Sequence, residues 1–218
     1  MDLGLSFTYV FQDKDWVKKI LFGAVAFLIV LVGWIPLLGW VIEIARRVIR
    51  QDPEPLADWS DLGKLFTLGL KGCVIIILAA LLPGILAIPY AILGSISNNS
   101  ETIFTIYSVC YGCFSILYGI LIALAIPASL GILADTDQLG NALNPSKIFS
   151  LVRAAPAAYI LAFLGAFVAN IIGELGTILC GIGFIATMSY ASAIIGPLYG
   201  QAYRQASAAT LQNPISTV

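Results

Sequence analysis

The stretch GCVIIILAALLPGILAIPYAIL, residues 72–93, decides the fold class of this chain. It holds no charged side chain, and it is long enough to cross a bilayer core, which takes about 20 apolar residues in a helix. The whole sequence agrees with it, because 60% of the 218 residues are hydrophobic and only 11% are charged. An ordinary soluble domain is roughly 45–50% apolar and about 25% charged. We therefore predict an all-α, polytopic transmembrane helix bundle, with residues 1–218 forming a single membrane domain.

Three more apolar runs extend this prediction to the rest of the chain: residues 20–45, 103–134 and 156–203. The last run is too long for one crossing. We expect it to divide at Gly173-Glu174-Leu175-Gly176, where a charge lies between two glycines, and to leave residues 177–203 as the last span. The sequence thus predicts about five spans.

The first apolar run allows two structures, because Trp34-Ile35-Pro36 interrupts it. We favour one long, tilted helix with a kink at Pro36. The alternative is a re-entrant hairpin that turns at residues 34–36, which would raise the count to six. Each leg of such a hairpin holds only about 10 to 16 apolar residues, which is too short to cross a bilayer.

The basic residues predict the orientation of the chain. Most of them lie in two linkers and after the last span: Arg46, Arg47, Arg50, Lys64, Lys71, Lys147, Arg153 and Arg204. By the positive-inside rule we expect these linkers and the C-terminus in the cytoplasm, and the chain in the cell membrane. Glu174 would then face outward. The side of the N-terminus, which holds Lys14, Lys18 and Lys19, depends on the structure of the first run.

Both basic linkers are predicted to contain a short interfacial helix on the cytoplasmic side. In residues 61–71 the apolar side chains recur at helical spacing, and we expect Lys64 and Lys71 to reach lipid phosphates. In the second linker, Asn144 is a good N-cap and Pro145 a good first helical residue. Lys64-Leu65-Phe66 also resembles Lys147-Ile148-Phe149. This predicts an internal repeat of residues 1–93 and 103–180, an arrangement that is common in transporters.

Three blocks near the start of the chain carry a family resemblance: Phe11-Gln12-Asp13-Lys14-Asp15-Trp16-Val17-Lys18-Lys19, Pro36-Leu37-Leu38-Gly39 with Arg46-Arg47-Val48-Ile49, and Pro55-Leu56-Ala57-Asp58-Trp59-Ser60-Asp61-Leu62-Gly63-Lys64-Leu65-Phe66. The first is similar to F-x-D-x-D-W-x-K-K, and the third to P-x-W-x-D-x-G-x-L-F with a small offset. The chain resembles an uncharacterised family of multi-pass prokaryotic membrane proteins, a domain of unknown function, over roughly its first 75 residues. It departs from that family at Trp40, where tyrosine is more usual. The resemblance implies a bacterial or archaeal cytoplasmic membrane and no particular activity.

A few polar or kinked positions inside the apolar runs are candidates for a functional site: Glu43, Arg46, Arg47, Pro36, Pro127 and Glu174. Ionisable residues within a membrane are functional candidates by default. A purely structural role is the simpler interpretation of both acids. Glu43 would form an ordinary helix salt bridge to Arg46 or Arg47, and Glu174 would be a turn residue.

Small residues at four-residue spacing predict close helix packing, and the faces are Gly196 with Gly200, and Ala158 with Ala162 and Ala166. Each face packs either within the subunit or against a second copy or another subunit. Cys110 and Cys113 form a C-x-x-C pair inside an apolar run, where packing is the simpler interpretation.

The composition argues against most chemistry. Histidine is absent, so the commonest general base and metal ligand are missing. No glycine-rich phosphate loop appears, and a net charge of −1 gives no bulk attraction to nucleic acid. We expect no enzyme, no cofactor and no nucleic-acid partner. The favoured function is a structural or accessory subunit in the lipid bilayer, bound to other membrane subunits or to itself, and the alternative is a small transporter or pore.

Overall fold

The chain folds as a bundle of helices, as the computed structural model shows for residues 1, 3–28, 34–54, 56–96, 101–176 and 182–212. The helices are α1 Leu3–Thr8, α2 Trp16–Leu28, α3 Trp34–Arg50, α4 Leu62–Ile96, α5 Glu101–Thr136, α6 Leu139–Ala142, α7 Pro145–Ala154, α8 Pro156–Leu175 and α9 Ile182–Gln212, with a 3₁₀ turn at Tyr9–Gln12. These residues contain no strand, which confirms the all-α prediction.

Three of these helices are long and apolar enough to cross a membrane. They are Leu62–Ser95 in α4, Thr102–Thr136 in α5 and Pro156–Leu175 in α8. The chain is therefore a candidate for membrane insertion through at least these helices, while the count of about five spans stays a prediction. The predicted break in the last apolar run is confirmed, because α8 ends at Leu175 and α9 begins at Ile182.

The first apolar run forms a helical hairpin, so the prediction of one kinked helix is wrong. In a continuous helix Lys19 and Trp40 would lie about 30 Å apart. Instead, the indole N–H of Trp59 donates to the Lys19 carbonyl oxygen at 3.0 Å, and the ring of Trp59 lies 5.3 Å from that of Trp40. Residues 29–33, which connect α2 to α3, lie outside the described part of the chain.

Pro36 does not produce a kink. It lies in the first turn of α3, where a residue without an N–H breaks no helical hydrogen bond. The helix that it begins is central to the molecule, because α3 contacts α2, α4, α5 and α9. This burial explains why a leg too short to span a bilayer is stable: protein rather than lipid surrounds it.

Helices α3 and α4 cross in direct backbone contact at two glycines. A Cβ atom on Gly39 would collide with the carbonyl oxygen of Leu65, and one on Gly69 would collide with that of Ile35. Only glycine permits this approach, which brings the start of α4 against the charged half of α3.

The first predicted interfacial helix is absent, since residues 62–71 are the opening turns of the long α4. The second exists as α7: the side chain of Asn144 accepts a hydrogen bond from the backbone N–H of Ser146 at 3.0 Å, and Pro145 is the first helical residue. The two segments therefore differ in structure, and the internal repeat of residues 1–93 and 103–180 stays a prediction.

Helices α4 and α5 form a hairpin, and tyrosine hydroxyls of α5 donate hydrogen bonds to backbone carbonyls of α4 across it. The hydroxyl of Tyr118 donates to the Ala79 carbonyl at 2.7 Å, that of Tyr111 to Pro83 at 3.3 Å, and that of Tyr107 to Leu86 at 2.6 Å. Proline lacks the N–H that a residue at position 83 would give to the Ala79 carbonyl. Tyr118 supplies that missing donor in an apolar setting.

We expect the Tyr118 hydroxyl to matter only while position 83 is proline. Replacing Tyr118 with phenylalanine should lower the free energy of unfolding by about 1 kcal/mol, because the Ala79 carbonyl is left without a donor. In a Pro83→Ala background the backbone N–H at position 83 is restored, and Tyr118→Phe should then leave the free energy of unfolding almost unchanged. A double-mutant cycle, measured by unfolding in mixed micelles, gives the coupling. Tyr107→Phe is the control, and equal coupling of both tyrosines to position 83 would contradict this account.

Candidate functional site

The candidate site is a group of charged side chains where α3, the start of α4 and the end of α5 meet. We call it the arginine cluster, and it consists of Glu43, Arg46, Lys64, Lys71 and Asp137. Glu43 and Arg46 are 8% and 6% exposed, so their charges are removed from solvent by the surrounding helices. Buried charges of this kind persist only when they are paired.

Arg46 connects α3 to the end of α5. Its Nε donates to the carbonyl oxygen of Ala134 at 2.7 Å, and its Nη2 lies 3.5 Å from Oδ1 of Asp137. Its Nη1 lies 3.4 Å from Oε2 of Glu43, one turn earlier in α3. The last carbonyls of a helix lack intrahelical donors and carry partial negative charge, so a guanidinium stabilises them. Arg46 therefore acts as a C-terminal cap for α5.

Asp137 ends α5 in a left-handed conformation, with φ of 58°, which aspartate adopts more readily than most residues. Its backbone N–H donates to the Leu133 carbonyl at 2.9 Å, which closes the last turn of the helix. Burial opposes ionisation of its carboxyl group, but the hydrogen bond from Lys71 and the charge of Arg46 outweigh it, so the pKa of Asp137 lies below its usual value.

Lys64 and Lys71 complete the cluster from α4. The Nζ of Lys64 lies 2.7 Å from Oε1 of Glu43, and that of Lys71 lies 2.9 Å from Oδ1 of Asp137. The prediction that these lysines extend toward lipid phosphates is wrong, because both reach inward to acids that lie far away in the sequence.

The ion pairs of the cluster can fix α3, α4 and α5 relative to one another. Two buried atoms, Oε2 of Glu43 and Nη2 of Arg46, have ion-pair neighbours but make no hydrogen bond to another described residue. The described residues also hold no group of three acids or cysteines that could bind a metal ion.

A second ionic group holds the N-terminal segment in place, and we call it the N-terminal clasp. The Nζ of Lys19 lies 2.9 Å from Oδ2 of Asp13 and 2.9 Å from Oδ1 of Asp58. Asp13 also accepts hydrogen bonds from the backbone N–H groups of Asp15 at 2.8 Å and Leu56 at 3.3 Å. The first and third blocks of the family resemblance thus meet in space. Sequence reasoning treated Lys19 only as a topology signal and missed this contact.

The clasp should fail in acid. Burial opposes the charge of Asp13, but the hydrogen bonds from Lys19 and from two backbone N–H groups hold its pKa below the usual value. A folded pKa below the unfolded one gives stability that is complete above the unfolded value, about 3.9, and is lost as pH falls through the folded value. We expect Asp13→Asn to remove about 1–3 kcal/mol at neutral pH and to flatten the acid limb of unfolding. Asp15→Asn is the control, since the side chain of Asp15 is 60% exposed; an unchanged acid limb in Asp13→Asn would contradict this role.

The other predicted positions lie apart from the arginine cluster. Arg47 faces away from Arg46 and pairs with Glu54 at 3.3 Å. Pro127 is fully buried within α5, and Glu174 lies at the exposed end of α8. Neither contributes to the cluster.

The predicted packing faces lie within the subunit. A Cβ on Gly196 would meet Ile44 at 2.7 Å, and one on Gly200 would meet the Ala45 carbonyl at 2.7 Å, so this face of α9 is in contact with α3. Ala158, Ala162 and Ala166 are buried in the core that also includes side chains of α9. These contacts occupy both faces.

A family model described as "Protein of unknown function (DUF4013)" matches residues 22–182, most of the chain. The match includes all residues of the arginine cluster and leaves out the opening block Phe11–Lys19. No curated protein and no solved structure matches the chain.

Proposed function

We propose that this chain, which belongs to the DUF4013 family of proteins of unknown function, is a non-catalytic structural or accessory subunit of a membrane complex. The observation that carries the proposal is how little of the α4 surface is buried within the chain. In the most apolar window of α4 only 11% of the residues are buried within the chain, and α4 packs chiefly on α3 and α5. Its outer surface is therefore open to lipid or to another protein.

The shape of the hairpin supports a protein partner on part of that surface. The tyrosine hydroxyls face inward and are bonded to carbonyls of α4, so the outer faces are almost wholly apolar. At Gly112 and Gly119 of α5, no neighbouring atom of the described residues lies within 4 Å of the place of a missing Cβ. Open glycines on one helix let a second helix approach closely, which stabilises helix pairs in lipid.

We further propose a cell-membrane location with both termini in the cytoplasm. In the hairpin of α2 and α3, Lys19 lies beside Leu56 and Asp58, which follow α3. The N-terminal lysines therefore belong to the same charged end as Arg46 and Lys64, and the positive-inside rule assigns that end to the cytoplasm.

The mass of the native complex tests the proposal. We expect a gently extracted chain, tagged at its C-terminus, to co-purify with other membrane subunits in fixed stoichiometry. Replacing Gly112 and Gly119 with leucine should release them, while Gly140→Leu, at an open glycine outside the hairpin, should not. This function would be refuted if the chain purified alone, or if its partners stayed bound after Gly112 and Gly119 were replaced with leucine.

A small transporter is the second candidate, and the buried charges of the arginine cluster favour it. Re-entrant helices and buried ionisable groups are typical of transport proteins. In that case Glu43→Gln should abolish flux in liposomes without releasing any partner. Equal flux from the variant and the unaltered chain would remove this candidate.

A further inference from the structure

A groove with two arginines opens at the charged end, apart from the arginine cluster. It has a volume of about 660 Å³ and lies between the N-terminal segment, the end of α3 and the last turns of α9. Arg47 and Arg204 both line it, and Asp52 is the one acid among the lining residues that the structure describes. The groove thus brings together two cations that are far apart in the sequence.

Arg204 has unused binding capacity. It is exposed, and it makes no hydrogen bond or ion pair to any residue that the structure describes. A guanidinium carries five N–H donors in a planar fork that matches a phosphate or carboxylate. The neighbouring groove residues Gln201 and Gln205 add neutral amide groups to the same wall.

Arg47 is held in place by contacts that involve only one of its guanidinium nitrogens. Its Nη1 donates to the Leu56 carbonyl at 3.1 Å and lies 3.3 Å from Oε2 of Glu54. Its contacts to described residues all involve Nη1, so Nε and Nη2 are left for a ligand. A pre-positioned guanidinium loses less entropy on binding than a mobile one.

The groups that would repel an anion are occupied by local hydrogen bonds. Oδ1 of Asp52 accepts the backbone N–H of Glu54 at 3.0 Å. Partial negative charge also collects on the carbonyl groups at the end of α3. Two of these carbonyls accept hydrogen bonds: the N–H of Asp52 donates to the Arg47 carbonyl at 2.9 Å, and the N–H of Gln51 donates to the Val48 carbonyl at 3.3 Å. Among the lining residues that the structure describes, the two guanidiniums outweigh the one carboxylate of Asp52, which gives the groove an excess of positive charge at Arg204, while Glu54 is paired with Arg47.

We propose that this groove binds a phosphate ester between Arg47 and Arg204. Leu5, Val48 and Ala208 also line it, and they give an apolar surface beside the anion site. A phosphodiester with attached hydrocarbon, such as a phospholipid headgroup, fits this combination, and a soluble phosphate ester shares the same anion. This binding is independent of the proposed subunit role.

Lipid retention by the purified full chain tests the site. We expect native mass spectrometry to show stronger binding of phosphatidylglycerol than of phosphatidylcholine, and Arg204→Gln to weaken phosphatidylglycerol binding about tenfold, the effect of one lost charge-assisted contact. Arg153→Gln is the matched control, because Arg153 is an exposed arginine on α7 that does not line the groove.

A second titration, with glycerol phosphate on the detergent-solubilised chain, identifies the source of the anion. Binding that Arg204→Gln weakens would assign the groove to a soluble phosphate ester, and its absence beside a lipid effect would assign it to a headgroup. Equal retention of both lipids, or equal effects of Arg204→Gln and Arg153→Gln, would overturn the proposal.

Discussion

Replacing Gly39 with alanine is expected to disrupt the folded chain strongly. The new Cβ would collide with the backbone carbonyl oxygen of Leu65, and a backbone atom cannot rotate away as a side chain can. We expect a loss of about 3 kcal/mol or more, at the upper end of overpacking effects. Gly69→Ala should behave alike, because its Cβ would meet the Ile35 carbonyl.

The matched control is Gly84→Ala in the same helix as Gly69. No neighbouring atom in the described part of the chain lies within 4 Å of the place of its Cβ, so this change should be neutral or stabilise α4 by about 0.5–1 kcal/mol. Thermal unfolding in detergent and the yield of monodisperse protein measure all three variants. Similar stability of Gly39→Ala and Gly84→Ala would show that α3 and α4 do not cross in backbone contact.

Replacing Arg46 with methionine is expected to cost about 3–5 kcal/mol, the usual effect of removing one partner from a buried ion pair. The change leaves the Ala134 carbonyl without the donor at 2.7 Å and takes one cation from between Glu43 and Asp137. The end of α5 should loosen first, because Arg46 caps it. Faster hydrogen exchange in the last turn of α5 would show this directly.

Arg50→Met is the control for that experiment, since Arg50 is exposed one turn later in α3 and should change stability by less than about 0.5 kcal/mol. A double change of Glu43 and Arg46 to methionine should recover part of the loss, because it removes both buried charges, and Lys64, which loses Glu43 as its partner, has a side chain that is 44% exposed and can be solvated. If Arg46→Met were as stable as Arg50→Met, the cluster would contribute nothing to the fold.

Local features of this chain were predictable from the sequence. The length of residues 72–93 and 103–134 required long helices, the glycines around Glu174 marked the end of α8, and Asn144 with Pro145 marked the start of α7. Each depends on neighbours in the chain, where spacing and capping preferences act. The short pair of Glu43 with Arg46 belongs to the same class.

The hairpin of α2 and α3 could not be predicted in this way. Each leg of this hairpin is too short to cross a bilayer. That limit on length holds only for a helix surrounded by lipid. Other helices surround α3, so its length is not constrained by membrane thickness. The same packing brings Lys64 to Glu43 and Lys19 to Asp58, and no spacing rule connects residues so far apart.

Separation of charge along the α4–α5 hairpin has a consequence for biosynthesis. Between Lys71 and Asp135 the sequence holds one side chain of the Asp, Glu, Lys or Arg type, Glu101, the first residue of α5. In the proposed orientation, insertion of the hairpin from the cytoplasmic side therefore moves at most one carboxylate across the hydrocarbon. With the charged end in the cytoplasm, as proposed above, the hairpin can enter the membrane as one unit, and the ionic contacts of Arg46, Lys64 and Lys71 form afterwards on the cytoplasmic side.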